Sequence, residues 1–185
     1  MGTSVVLFTR DLRLHDHPAL AAAVHGSETV VPLFVVDDPL ISGRAGTPNR
    51  LAFLLASLHD LDDSLRKRGS RLAIRRGDWV EEASRFAGAA GAETIFLSED
   101  VSGYARARQR RLEHDGEKAG LAVRAFEGVT VIPPGEVTPA NGDHYRVFTP
   151  YWNAWRRAGK RDPLPAPRKL RSPSRLRWGS IPKLS

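Results

Sequence analysis

The chain has 185 residues, enough for one hydrophobic core and a short extension. Apolar residues make up 41% and charged residues 26%, the balance of a soluble globular protein. The absence of cysteine excludes disulfides and thiolate metal sites. No apolar run approaches the roughly 20 residues of a membrane span, and the first eight residues lack the features of a signal peptide. These properties predict a cytoplasmic protein without a membrane segment.

The net charge of +7 is concentrated at one end of the chain. Between Arg156 and Ser185 lie ten Lys and Arg residues and a single acid, Asp162. This stretch carries +9, so the rest of the chain is close to neutral at −2. A basic tail can contact nucleic acid phosphates without sequence specificity, but it is also typical of a solvated linker. The charge therefore leaves both interpretations open.

Apolar runs alternate with amphipathic or charged segments as far as about residue 126. In chain order they predict strand Ser4–Phe8, helix Pro18–His25, strand Thr29–Val36, loop Ile41–Thr47, helix Asn49–Arg68, strand Arg71–Arg75, helix Val80–Ala90, strand Thr94–Leu97, helix Tyr104–Ala119 and strand Leu121–Phe126. Asp16 and Asp78 are candidate N-caps. The longest helix carries leucines at spacings of three and four, so one of its faces should pack on the sheet.

The pattern weakens after the fifth strand. The remaining predicted elements are two extended pieces and a short helix, Val129–Ile132, Tyr145–Phe148 and Thr149–Arg157. From Asp162 onward prolines and basic residues dominate without apolar periodicity, which is typical of a linker or a disordered segment. We therefore predict a folded domain over residues 1–157 and a basic, proline-rich interdomain linker over residues 158–185.

The repeated alternation of strands and helices favours a parallel sheet covered by helices on both faces. Because crossovers between parallel strands are right-handed, the economical arrangement is a doubly wound, Rossmann-like α/β fold with five parallel strands. Ligands of such sheets bind at the carboxyl ends of the strands, near the point where the strand order reverses. The loops after Phe8, Val36, Arg76 and Leu97 are therefore the candidate site.

Several familiar enzymatic motifs are absent. The sequence has no glycine-rich dinucleotide fingerprint after the first strand, no P-loop and no nucleophile elbow. The histidines lack metal-ligand spacing, apart from the weak trio His15-Asp16-His17. An enzyme would have to rely on Asp11, Asp16, Asp37 and Asp100, whose predicted loops are neighbours. Acid–base chemistry needs such groups within hydrogen-bond reach.

The loop after the first strand is rich in charge. Residues 8–20 read FTRDLRLHDHPAL, so Arg10, Asp11, Arg13 and Asp16 crowd the end of a buried strand. These residues either form a local set of ion pairs that fixes the loop or provide a polar wall for a ligand. The residue types alone favour neither interpretation.

The same loop resembles the opening signature of the DNA photolyases and cryptochromes. The resemblance rests on Asp11-Leu12-Arg13 and Asp16, followed by a small apolar helix. Pro133-Pro134-Gly135 after an extended run, and the block VFTPYWNAW at residues 147–155, are similar to later blocks of that family in the same order. The resemblance covers about residues 4–157.

Two residues of the loop depart from the family pattern. The family usually has arginine in place of Thr9 and asparagine in place of His17. Both changes affect the expected bonding within the loop rather than the expected fold.

The resemblance implies a function in light-driven DNA repair. Photolyases repair ultraviolet-induced pyrimidine dimers with a light-excited reduced flavin. In that family FAD and the damaged base bind a larger, helical carboxyl-terminal domain, and the amino-terminal α/β domain holds an antenna pigment. This chain is thus expected to be the antenna domain of a deoxyribodipyrimidine photolyase, a carbon–carbon lyase, ending before the FAD domain and inactive by itself. Its expected partner is that helical domain, and damaged DNA only through it.

The resemblance also indicates which antenna pigment is expected. Relatives that use 8-hydroxy-5-deazariboflavin tend to have an acid, a Tyr-Gly or similar pair and a basic helix after the fourth strand, as in DVSGYAR from Asp100 to Arg106. Folate-using relatives tend to have Asn-Glu in place of Gly103-Tyr104. A deazaflavin is therefore the expected cofactor, with methenyltetrahydrofolate and FMN as alternatives.

The candidate contacts of a flat heteroaromatic pigment lie on the predicted strand-end loops. They are Arg10, Asp37, Arg50, Phe53, Glu99, Asp100 and Tyr104, and the resemblance adds Leu51. The resemblance implies that Asp37 and Asp100 bond the polar rim of the pigment, Arg10 and Arg50 oppose its charge, and Leu51 and Phe53 pack on its ring.

Each candidate also has a structural interpretation. Phe53 would be a core residue, Asp100 a helix cap, Asp37 a turn residue and Arg50 a solvated side chain. The arginine run Arg106, Arg108, Arg110 and Arg111 is interpreted as a solvated face and left out of the site.

The alternative function is that of a cryptochrome-type signalling or scaffold module without repair activity. Such a module would bind a partner through an apolar patch near Pro150, Trp152 and Trp155. Otherwise we expect the two tryptophans to be packing residues.

Overall fold

A computed structural model describes residues 2–43 and 46–183. Its strands are β1 (Thr3–Phe8), β2 (Thr29–Asp37), β3 (Ala73–Gly77), β4 (Ala92–Ser98) and β5 (Ala122–Phe126). Its helices are α1 (Pro18–Gly26), α2 (Asp38–Ser42), α3 (Pro48–Arg66), α4 (Trp79–Ala89), α5 (Gly103–Ala119) and α6 (Phe148–Arg157). Among the described residues, no helix has the length and apolar character needed to cross a bilayer.

The strands form one sheet in the order β3-β2-β1-β4-β5, and all neighbouring pairs are parallel. The chain first builds outward from β1 to β3 and then returns to the other side of β1 with β4. This reversal lies between β1 and β4, where a doubly wound sheet leaves a crevice at the carboxyl ends of its strands. The predicted five-stranded, doubly wound parallel fold is confirmed.

The sheet is buried on both faces because the side chains of its central strand alternate between two cores. Val6 and Phe8 of β1 pack with α1 and α3, whereas Val5 and Leu7 pack with α4 and α5. All four side chains are at most 1% exposed. The apolar runs predicted as buried strands therefore serve both faces, as parallel strands covered by helices do.

Local differences from the sequence-based expectations have simple causes. The helix α2 replaces the beginning of the predicted loop Ile41–Thr47, whose residues 44 and 45 lie outside the described part. The expected N-cap Asp16 is wrong: the side chain of His17 accepts the hydrogen bond from the Leu20 amide, and Asp16 has a left-handed φ of 53°. The extended piece Val129–Ile132 is a series of bends.

Residues 163–183, called the strap below, contain no helix or strand but lie against the folded domain. Leu170 is 2% exposed and belongs to the core beneath α1 and α3. Leu176 and Trp178 pack against the core on the opposite face of the sheet. The strap therefore passes around the β3 edge to the opposite face, and Ile181 then packs with the first core again. The strap lacks regular structure, as predicted for a linker, but its apolar residues anchor it.

Backbone hydrogen bonds fix the course of the strap. The Leu170 amide donates to the Arg68 carbonyl at 2.8 Å, and the Arg171 carbonyl accepts from the Val30 amide at 2.7 Å. The Trp178 carbonyl accepts from the Ile74 amide of β3 at 2.7 Å. The last bond covers the free edge of the sheet, where unpaired backbone groups would otherwise offer a template for aggregation.

We expect Gly179→Ala to destabilise the protein more than Gly120→Ala. Both glycines have left-handed backbone angles, φ +73° and +68°, so alanine costs about 1 kcal/mol at either position. A Cβ at Gly179 would also lie 2.4 Å from the Ile74 carbonyl oxygen, whereas Gly120 has no heavy atom within 4 Å. We expect a further loss of roughly 1–3 kcal/mol in Gly179→Ala. Urea unfolding of both variants measures the difference, and equal losses would contradict an anchored strap.

Candidate functional site

A cavity of about 650 Å³ opens at the carboxyl ends of β1 and β2. Its walls come from the loop after β1, the end of β2, one side of α3 and the first turns of α5. The apolar part of the lining includes Phe8, Leu12, Phe34, Val36, Ile41, Phe53 and Leu54. Phe53 is 76% exposed, so a large aromatic ring without core contacts borders the opening. The volume falls within the range of roughly 300–1,000 Å³ that is usual for small-molecule sites.

Asp37 is the polar centre of one wall. It ends β2, is 5% exposed, and its Oδ2 accepts hydrogen bonds from the Tyr104 hydroxyl at 2.7 Å and from Arg108 Nη1 at 2.8 Å. The Arg108 guanidinium lies over the Trp79 ring, 4.0 Å from its centroid. A buried carboxylate needs such partners, and the aromatic face adds a favourable cation–π contact. Burial, reinforced by the hydrogen bond to Asp37, raises the pKa of Tyr104, which stays a protonated donor.

Asp100 forms the facing polar wall. Its Oδ2 lies 2.9 Å from Arg10 Nη1, and its Oδ1 accepts from the Ser102 amide at 2.8 Å. Burial would raise the pKa of this carboxyl, but the Ser102 hydrogen bond and the Arg10 charge together hold it below its usual value. The Asp100 carboxylate is therefore ionised. The cap of α5 is Ser102, whose hydroxyl accepts from the Ala105 amide at 3.2 Å.

The side of the cavity next to β1 rests on a buried polar group. Asp11 is 6% exposed and accepts a short hydrogen bond from Ser98 of β4. His17 Nε2 lies 3.2 Å from Asp11 Oδ2, off the line of a hydrogen bond. Because His17 Nδ1 accepts from the Leu20 amide, its proton resides on Nε2. Burial lowers the pKa of His17, and the Asp11 carboxylate opposes this effect only in part.

The charged loop after β1 makes its bonds to distant elements. Arg10 pairs with Asp100, and Asp16 pairs with Arg161, two residues before the strap. Arg13 donates to the Asp16 and Gly128 carbonyls. Arg10, Asp11 and Arg13 also line the cavity, so the loop both fixes the scaffold and provides a polar wall.

The four carboxylates that would have to support an enzyme are all bonded into the scaffold. Asp11 is held by Ser98, Asp16 by Arg161 and the Leu164 amide, Asp37 by Tyr104 and Arg108, and Asp100 by Arg10 and Ser102. This arrangement gives no carboxylate pair poised for acid–base chemistry. Within residues 2–43 and 46–183, no group of three or more potential ligands is placed to hold a metal ion.

The structure brings five of the eight predicted pigment contacts to the cavity, Arg10, Asp37, Phe53, Asp100 and Tyr104. Arg50 and Leu51 lie in the first turn of α3, outside the cavity lining. Glu99 is exposed and borders a separate, smaller depression.

Sequence reasoning missed Arg108 and Trp79. The interpretation of Arg108 as part of a solvated face is wrong, because its side chain is 14% exposed and pairs with Asp37. The neighbouring Arg106, Arg110 and Arg111 are exposed, as expected. One signal was available: Arg108 follows Tyr104 by four residues, so the two side chains share a helix face.

A family model described as DNA photolyase matches residues 4–168. The chain belongs to the DNA photolyase family. It is 42% identical over 184 residues to a deoxyribodipyrimidine photo-lyase of Streptomyces griseus, with 98% of this chain and 40% of that protein covered. The chain therefore spans less than half the length of that relative.

Solved structures of the family share the fold of this photolyase-family chain. A cryptochrome of Synechocystis superposes with a TM-score of 0.88 at 26% identity, covering 98% of this chain and 40% of that one. An archaeal photolyase of Sulfolobus tokodaii superposes with a TM-score of 0.78 at 27% identity, covering 92% and 37%. Its structure holds two FAD molecules and is described as implying a novel light-harvesting cofactor.

We expect His17→Asn to flatten the dependence of stability on pH below neutrality. The folded state disfavours protonation of His17, so the unfolded chain takes up a proton first as the pH falls below about 6.5. The free energy of unfolding of the wild type should therefore decrease between about pH 7 and 5. Asparagine keeps the N-cap and removes this component. Urea unfolding across the pH range tests this, with exposed His59→Asn as control; parallel curves for wild type and His17→Asn would refute it.

Proposed function

We propose that the cavity binds a planar antenna pigment that absorbs light for a photolyase or cryptochrome. The observation that carries the proposal is the combination of an apolar slot with two facing polar groups, Asp37–Tyr104–Arg108 and Arg10–Asp100, at the strand-order reversal. Apolar sites with a few placed polar groups are suited to flat heteroaromatic ligands. The scaffolded carboxylates favour binding over catalysis by this chain.

The lining residues have distinct roles in binding. Phe53 at the opening would stack on the ring, and Arg10 and Asp100 would orient its polar edge. Arg108 would position this polar wall, because its Nη1 donates to Asp37 and its guanidinium lies over the Trp79 ring. Arg50 and Leu51 would contact only a part of the pigment that projects from the opening next to Phe53.

We propose 8-hydroxy-5-deazariboflavin as the pigment, with methenyltetrahydrofolate and FMN as the alternatives. In support, Gly103 and Tyr104 provide no acid or amide for a folate, and the Tyr104 hydroxyl is already bonded to Asp37. The second FAD in the Sulfolobus photolyase supports the view that a family member can hold a flavin-type ring in addition to its catalytic flavin.

The activity that fits this domain is that of a deoxyribodipyrimidine photolyase in the cytoplasm, repairing pyrimidine dimers together with a helical FAD domain. The 42% identity to the Streptomyces enzyme supports this assignment. Because the chain spans 40% of that enzyme, FAD binding, repair and recognition of the damaged base would depend on the remaining part.

An exposed aromatic face on α6 supports a partner domain. Phe148, Tyr151, Trp152 and Trp155 follow the i, i+3, i+4, i+7 spacing of one helix face, and Phe148 and Trp152 are 71% and 41% exposed. The expectation that both tryptophans pack in the domain is therefore wrong for Trp152. The rings stack on one another, so they present their edges to a partner. We propose that this face meets the helical domain; a cryptochrome-type scaffold would use the same face for another protein.

Adding 8-hydroxy-5-deazariboflavin to the chain should give a saturable, red-shifted absorption band. We expect Arg108→Ala to weaken binding at least on the order of tenfold, because the site loses a charged donor, with Arg110→Ala on the exposed side of α5 as control. Methenyltetrahydrofolate and FMN are titrated in parallel. Absence of saturable binding for all three pigments would reject the proposal, and tighter binding of one alternative would replace the deazaflavin.

A chimera in which this chain replaces the matching part of the Streptomyces photolyase tests the α6 face. We expect a single cooperative thermal transition and retained FAD. The combined substitution Phe148→Ser and Trp152→Ser should uncouple the two domains, giving separate transitions, since it removes the apolar contact. Val131→Ser, at an apolar residue 60% exposed elsewhere, is the control. Unchanged coupling in the α6 variant would count against this docking face.

A further inference from the structure

The outer side of the strap carries an array of cations. Residues 163–183 contain six basic residues and no acid, namely Arg168, Lys169, Arg171, Arg175, Arg177 and Lys183. All six are exposed, whereas Leu170, Leu176 and Trp178 of the same segment face the domain. The apolar side chains of the strap therefore face the domain, and its charged side chains face the solvent.

These cations are held in place, unlike those of a free tail. The Leu170 side chain is buried, and its amide donates a hydrogen bond to the domain. The carbonyls of Arg171 and Trp178 accept hydrogen bonds from β2 and β3. The backbone beside Arg168, Lys169, Arg171 and Arg177 is therefore ordered before any ligand arrives. A ligand that binds there does not have to offset the conformational entropy of ordering a flexible chain.

The strap cations also lack the partners that other basic residues of the domain have. Arg10, Arg66, Arg76, Arg108 and Arg111 each pair with a carboxylate. By contrast, within the described part of the chain the six strap side chains make no ion pair and no hydrogen bond. Unpaired like charges along one segment produce a positive potential that a polyanion would relieve.

The spacing of the charges suits a linear phosphate chain. Arg168 and Arg177 are separated by nine residues, which span at most about 30 Å. Phosphates of one DNA strand follow at about 3.4 Å along the axis, so cations that lie at most about 30 Å apart fall within roughly one turn of a duplex. The apolar strap residues face inward, so they are unavailable for base stacking or for insertion into a membrane. Contact would be with the sugar–phosphate backbone alone.

We propose that the strap binds the phosphodiester backbone of double-stranded DNA without sequence specificity. This inference goes beyond pigment binding and does not depend on it. It assigns a DNA-contacting surface to the α/β domain itself, on the β3 edge of the sheet, in addition to any contact made by a helical domain.

The test measures binding of the whole chain to a fluorescent DNA duplex of about 20 base pairs by anisotropy, between about 50 and 200 mM salt. Neutralisation of four cations, Arg168→Gln, Arg171→Gln, Arg175→Gln and Arg177→Gln, should weaken binding. The slope of log affinity against log salt should become shallower by about 0.9 for each phosphate that the variant no longer neutralises.

The control variant removes the same charge from the opposite edge of the sheet, with Arg106→Gln, Arg110→Gln, Lys118→Gln and Arg124→Gln on α5 and β5. It should retain the wild-type slope. Equal effects of the two variants would mean that DNA binding depends on net charge alone, and this outcome would overturn the proposal. No binding by the wild type at low salt, or tighter binding to phosphatidylserine vesicles than to DNA, would also overturn it. Thermal unfolding confirms that both variants are folded, and pigment titration reports separately on the cavity.

Discussion

Asp37 lies at the end of β2, where a carboxylate with 5% exposure must be neutralised by its neighbours. Both of its partners, Tyr104 and Arg108, come from α5, which follows β4 on the far side of β1. This pairing joins the two halves of the doubly wound sheet above the point where the strand order reverses. It also positions Trp79 and Tyr104 as a wall, so the cavity depends on a contact between elements some 70 residues apart in the chain.

The carboxylates around this crevice are all held by the scaffold. Every carboxylate near it is bonded to a cation, an amide or a hydroxyl, so none combines free access with a neighbouring acid or base. Under the proposed function, its apolar side and the Arg108 guanidinium would orient a flat ring. The same bonds would keep the walls of such a site in place.

Two exposed surfaces of the α/β domain are candidate partner-binding surfaces. The aromatic face of α6 makes no contribution to the core and has the spacing of a helix that packs against another protein surface. The strap covers the β3 edge and turns its charges outward. One surface is apolar and the other is basic, so they are expected to meet different partners, a helical domain and a polyanion.

The sequence by itself determined the fold and the location of the cavity. Apolar runs alternated with helical segments such as the leucine-rich α3. This alternation favoured a parallel sheet, and such sheets bind ligands at their strand ends. Arg10, Asp37, Asp100 and Tyr104 could be named because each follows a strand or begins the next helix, and the family resemblance pointed to Phe53 on α3. Only the tertiary structure showed that Arg108 pairs with the buried Asp37 and does not belong to a solvated helix face. It also showed that Trp152 is exposed and that the strap is anchored. These outcomes depend on which distant groups meet, since isolated residues such as Leu170 and Trp178 carry no periodic signal.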